Sequence, residues 1–206
     1  MFDRQLFGRA AAVVLGLSCL VAAACTQTQV PPPDQAAAQA PAPAEANGCA
    51  ARPNHAALKA ALDKATADEK SGLNHQMWAT IVERDGVVCA VAFSGADRAA
   101  QWPGSRVISA QKASTANAFG LDSSSNAGGS GQANGLALST ANLYSAVQPG
   151  GSLFGLQFSN PVDTTVAYRG PSAAYGTPTD PMGGGRVGGV NVFGGGLGLF
   201  AADKTM

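Results

Sequence analysis

The chain has 206 residues, with 13 Lys or Arg against 13 Asp or Glu and a formal net charge of zero. From Cys49 onward eleven basic residues stand against ten acidic ones, so there is no electrostatic footprint for nucleic acid and no basic run for headgroups. Two histidines exclude a three-histidine zinc site within one chain, and there is no CxxC, CxxCH, HExxH or GxSxG motif.

The first 24 residues carry Arg4 and Arg9, then a largely apolar run over 10–21, then Ala22-Ala23-Ala24 before Cys25. That is the n-region, h-region and small-residue cut of a secretory signal peptide, too short for a spanning helix. A cysteine directly after the cut points to a lipoprotein, with Cys25 acylated as the new N-terminus. Alanine stands three before Cys25, where such signals prefer leucine, so ordinary cleavage after Ala24 is the alternative. Residues 25–48 are rich in Pro, Ala and Gln and hold almost no large side chain. Such a segment cannot offset its ordering entropy by burial and is expected to be a disordered, extended tether. Cell-envelope or periplasmic localisation, membrane-anchored through Cys25, follows as the expectation.

Residues 49–206 are the length of one domain. Asn54 is a plausible cap for a helix over residues 55–71, ended by Gly72, with Leu58, Ala61, Leu62 and Ala65 on its apolar stripe. The organising stretch is 77–120. Two apolar alternating runs, 77–84 and 87–93, flank Asp85-Gly86, which predicts a hairpin closed by a type I′ turn. Both faces of these runs are apolar, as in inner strands covered on two sides. Ser105 is the expected N-cap of a helix over 107–119, with Gly120 as its stop. That helix is built of small residues, which favours close packing, and Lys112 in its middle reads as a solvated or snorkelling side chain.

Residues 121–135 are a Ser/Gly-rich insertion; 136–147 predict a short helix capped by Ser139 or Thr140; 152–158 a short strand or irregular apolar segment. Residues 160–185 are expected to be loop, and the glycine-dense run 187–200 strand-like with bulges. Cys49 and Cys89 either form a disulfide, which would remove roughly 3–4 kcal/mol of loop entropy from the unfolded chain, or remain a free and a buried thiol.

Residues 81–119, with a glycine-closed hairpin ending Val-Ala-Phe, a Pro-Gly-Ser lead-in and a helix written SAQKASTANAF, resemble the GlcG/HbpS-like haem-binding domains. The Pro-Gly-Gly segment at 149–151 and the glycine-rich end extend the resemblance to about residues 56–206. It implies an α/β (α+β) domain, an antiparallel sheet flanked by helices, homo-oligomer formation and a role in binding or degrading haem. No family ligand maps onto this chain. Two departures stand out: a longer insertion at 121–135, and an end at Met206 where another strand and helix would follow, so that the chain is truncated or a partner supplies the sheet edge.

The expected function is a cell-envelope haem-binding protein that sequesters or relays haem; an enzyme of haem or small organic acid metabolism, or a self-assembling module, are the alternatives. No catalytic set can be assembled. His75, bordering the sheet, is the preferred axial ligand over His55 in a solvent-accessible first turn. Met77, Tyr144, Tyr168 and Tyr175 are formal candidates by ligand chemistry alone. The anchoring expectation has a direct check: Cys25→Ser should move the protein from the membrane to the soluble fraction, and equal membrane retention of the variant refutes it.

Overall fold

The computed structural model describes residues 48–122, 137–203 and 206, all within the unit Ala42–Met206. Residues 1–24, expected to be a signal peptide, most of residues 25–48, expected to be a tether and including Cys25, and nearly all of the 121–135 insertion lie outside the described residues.

A 3₁₀ turn, Gly48–Ala51, leads to helix α1, His55–Asp68. Asn54 is extended and its Oδ1 accepts the Ala57 N–H at 3.0 Å, the N-cap bond expected of it. Lys59–Asp63 and Lys64–Asp68 pair one turn apart on its surface. The helix stops at Asp68 rather than 71, because Glu69 turns extended and its carboxylate takes the Ser71 N–H. The expected stripe is also displaced. Leu58 and Leu62 are half-buried with Thr66, whereas Ala61 and Ala65 are exposed.

Strands β1 (Trp78–Val82) and β2 (Val88–Phe93) pair antiparallel in the register Trp78↔Phe93, Thr80↔Val91, Ile81↔Ala90, Val82↔Val88. The register shift leaves Cys89 as the extra residue of a bulge. The turn differs from the expected type I′. Gly86 alone has positive φ (82°), and its N–H bonds to Glu83 O at 2.8 Å, so Arg84 and Asp85 are the central residues. This is a three-residue loop with a left-handed glycine closing it.

Helix α2, Ser105–Phe119, packs on the sheet with Val107, Ala110 and Ala116 buried. Thr80 Oγ1 and Ser109 Oγ meet at 2.6 Å, which puts the even-numbered residues of β1 on the α2 face. Ser105 is the first helical residue and not the cap; Gly104 holds that place without a side-chain bond. Nor does Gly120 end the helix through a left-handed conformation, since its φ is −71°. Arg84 caps it from the hairpin, donating to Asn117 O and, at 3.1 Å, to Gly120 O. Glycine is required at 120 because a Cβ would sit 2.8 Å from Ala116 O.

Beyond α2 regular structure is brief. The predicted 136–147 helix is two 3₁₀ turns, Thr140–Leu143 and Ser145–Val147, with Ser139 and Asn142 capping reciprocally. Residues 152–158 form no strand; they turn through Gly155 into one helical turn, α3 (Leu156–Ser159). A second single turn, α4 (Thr164–Ala167), is capped by Asp163. The 187–200 run makes only isolated bridges, Val162↔Gly188 and Ser139↔Leu197, because positive φ at Gly188, Gly189 and Gly195 interrupts extension. The described sheet therefore has two strands, and Gly184 and Gly185 bond to Val88 along the outer edge of β2. Mixed α+β describes the fold. One apolar cluster joins Trp78, Val88, Val91, Val107, Met182 and Val187; a second gathers Leu143, Val147 and Val192.

The first cluster encloses a charge. Arg106, only 2 % exposed, donates through Nε to Asp180 Oδ2 at 2.9 Å and through Nη2 to Oδ1. Nη1 donates to Ala167 O at 2.7 Å, and Cζ lies 3.6 Å from the centroid of the Tyr175 ring. Asp180 also accepts the Gly176 N–H at 2.6 Å and the Met182 N–H at 2.8 Å. Asp180→Ala should lower unfolding free energy by about 3–5 kcal/mol, since it strands a buried guanidinium. Chemical denaturation measures this; a loss below about 1 kcal/mol contradicts it.

Candidate functional site

The larger cavity, about 340 Å³, opens between the loop after β2 and residues 173–177. Phe93 and Tyr175 supply aromatic wall, and Asp97, Arg98 and Thr177 supply polar groups. Each wall has a cause. Phe93 is the last residue of β2 and meets Trp78 edge-on, with ring centroids 5.3 Å apart. Tyr175 is stacked on Arg106, and its hydroxyl donates to Tyr168 O at 3.0 Å. Arg98 is exposed and bonds to Ser172 O, linking the two sides of the opening.

Gly176 makes the wall possible. Its φ is +76°, and a Cβ there would lie 2.3 Å from Phe93 Cδ1 and 2.8 Å from Trp78 Cζ3. Its carbonyl is 2.9 Å from His55 Nε2. A carbonyl only accepts, so Nε2 is the donor in this contact. His55 is half-buried beside the segment that lines the cavity, while His75 is exposed; the expected order of exposure is reversed. The reason is that α1 lies against the sheet and turns its first residue toward Gly176, whereas residues 69–77 run outside. Glu69, near His75, has its carboxyl held below the usual range mainly by bonds to Ser71.

Of the other candidates, Met77, Tyr144 and Tyr168 are exposed and only Tyr175 reaches the cavity. Cys49 and Cys89 are joined by a disulfide, with Cα atoms 5.2 Å apart. Among the described residues no three His, Cys, Asp or Glu side chains gather as a metal cluster. A smaller cavity of about 70 Å³ lies between β1 and residues 197–199, with Arg52 and Arg84 on its border. It has room for a few waters and none for an organic ligand.

Sequence reasoning missed the Arg106–Asp180–Tyr175 arrangement. Seventy-four positions separate the ion pair, and no spacing rule joins them. The available signal was an arginine directly before Val107 on a helix face otherwise made of small residues. No known protein family, curated protein or solved structure matches this chain.

Gly176→Ala should cost about 1–3 kcal/mol of stability, because the methyl overpacks Phe93 and Trp78 in a conformation L-residues avoid. Thermal unfolding checks this, and an unchanged midpoint counts against the assigned wall.

Proposed function

We propose that the protein is an exported haem-binding protein of the GlcG/HbpS-like kind, held at the cell envelope through Cys25, that sequesters or relays haem. The observation that carries this reading is the aromatic-walled cavity, whose 173–177 wall His55 contacts through Gly176 O. Its 340 Å³ falls at the low end of ligand pockets, which suits partial insertion of a flat macrocycle better than full enclosure. Phe93 and Tyr175 would take the porphyrin face, and Arg98 would pair with a propionate. His55 keeps one ring nitrogen free of Gly176 for an axial bond. Haem would supply the redox-active iron; these side chains bind and orient it.

A second reading, self-assembly, draws on exposed apolar groups. Phe154 precedes the single turn of α3 and Phe158 lies within it, with Phe158 83 % exposed, and Tyr144 lies 6.4 Å from Phe193 between ring centroids. Such side chains in clusters mark association surfaces. A homo-oligomer is compatible with haem binding.

Haemin titration of the disulfide-intact protein separates these readings. A saturable Soret change at micromolar haemin is expected, with about tenfold weaker binding for Arg98→Ala. His55→Ala should shift the Soret band and His75→Ala should not. Absence of a saturable change in a folded sample removes the haem proposal.

A further inference from the structure

Two described stretches of the chain carry no ionisable side chain of the common kinds: residues 137–162 and 187–202 hold no Asp, Glu, Lys, Arg or His. The fold brings them together. Leu143, Val147 and Val192 form one apolar cluster, with Leu153, Leu156 and Val190 packed against it. Ser139 bridges to Leu197, and Thr140 bonds to Phe193 O and to both polar groups of the Gly196 backbone. Charge returns at the margins of this lobe. Lys112 Nζ would lie 3.6 Å from a Cβ on Gly195, and the Asp163 N–H donates to Val187 O.

The same neutral lobe exposes its large side chains. Tyr144, Phe154, Phe158, Phe193 and Leu197 all stand in the open. Between Phe154 and Phe158 the chain turns through Gly155, whose φ is 93°. A protein partner's interface keeps a polar rim around its apolar centre, commonly with charges in it. The boundary between headgroups and acyl chains asks for the opposite. It accepts aromatic rings and leucine, and each charge carried toward the acyl chains is costly. Exposed Gln148, Ser152 and Asn160 leave uncharged groups to bond with headgroups.

We propose that this lobe docks on a lipid bilayer, with Phe154 and Phe158 entering the headgroup–acyl boundary. The inference rests on the proposed anchor at Cys25, which keeps a bilayer at hand. Residues 25–48, as the flexible tether their composition predicts, reach roughly 25–30 Å as a coil. Docking is then intramolecular, and a weak partition suffices. Entry is shallow, because irregular backbone needs water or headgroups for its polar groups. Docking orients the domain while the acyl chain retains it, so loss of Cys25 still releases the protein. The self-assembly reading would use the same side chains, and the test separates the two occupants.

Cosedimentation with phosphatidylcholine vesicles tests this on the disulfide-intact chain from residue 25, with Cys25→Ser so that no acyl chain contributes. That chain holds the whole compact unit Ala42–Met206. It should bind reversibly at about millimolar lipid, Phe158→Ser about tenfold more weakly, and Phe154→Ser with Phe158→Ser not at all. No binding by the parent, or equal binding by parent and variants, overturns the proposal. So does binding confined to anionic vesicles or abolished by high salt. An oligomer that Phe158→Ser dissociates, while neither form binds vesicles, assigns the lobe to a second copy and overturns it too. Should the serine variants fail to fold, Phe158→Trp decides. Blue-shifted emission over the parent's, quenched by brominated acyl chains, supports docking, and unshifted emission overturns it. Failure of the anchor reading shows separately, as equal membrane retention of Cys25→Ser in cells, and does not alter the vesicle result.

Discussion

The guanidinium of Arg106 is the constraint around which the rest of the domain is arranged. A permanent charge taken out of water must find acceptors and a counter-charge, or the fold fails. Arg106 finds its partners at three points along one irregular stretch: Ala167 O at the end of α4, the face of Tyr175, and Asp180 before Met182. Asp180 in turn spends its remaining oxygen capacity on the amides of Gly176 and Met182. Residues 167–182, which contain little regular structure, are therefore positioned by one side chain of α2. An apolar pair of equal volume could glue the same surfaces together. It could not dictate where two backbone amides and a phenol ring must lie.

This explains how so irregular a segment forms one wall of a cavity. Tyr175 faces the opening because its other side is committed to Arg106, and its hydroxyl is held by Tyr168 O. Gly176 lets the chain pass Phe93 and Trp78 at a distance no other residue allows, while its carbonyl meets the first residue of α1. Helix, sheet and loop thus converge at one residue without a side chain.

The parts legible in the sequence were those whose cause is local. Asn54 caps α1 through the backbone three residues on, and alternating apolar residues around Asp85-Gly86 make the hairpin. The parts misread have distant causes. The turn is not type I′, and Arg84, central in it, serves the far end of α2, thirty-three positions away at Asn117. Gly120 carries no positive φ because that cap comes from elsewhere. The glycine-dense 187–200 run reads as strand-like with bulges, yet pattern cannot show that Gly188, Gly189 and Gly195 adopt left-handed conformations. Histidine exposure was misjudged for a similar reason: it depends on where α1 is laid against the sheet, a tertiary fact.

The disulfide between Cys49 and Cys89 has a mechanical meaning. It ties the first described turn of the chain to the bulge in β2, closing residues 49–89 into a covalent ring that contains α1 and β1. Tension arriving from the N-terminal side reaches Cys49 and crosses directly to the strand at Cys89. Helix α1 and strand β1 hang on the ring outside this load path and are not pulled straight by it. In a thiol-reducing medium the same tension would instead run through the Asn54 cap and peel α1 from its first turn. Oxidation therefore sets which part of the fold yields first under force.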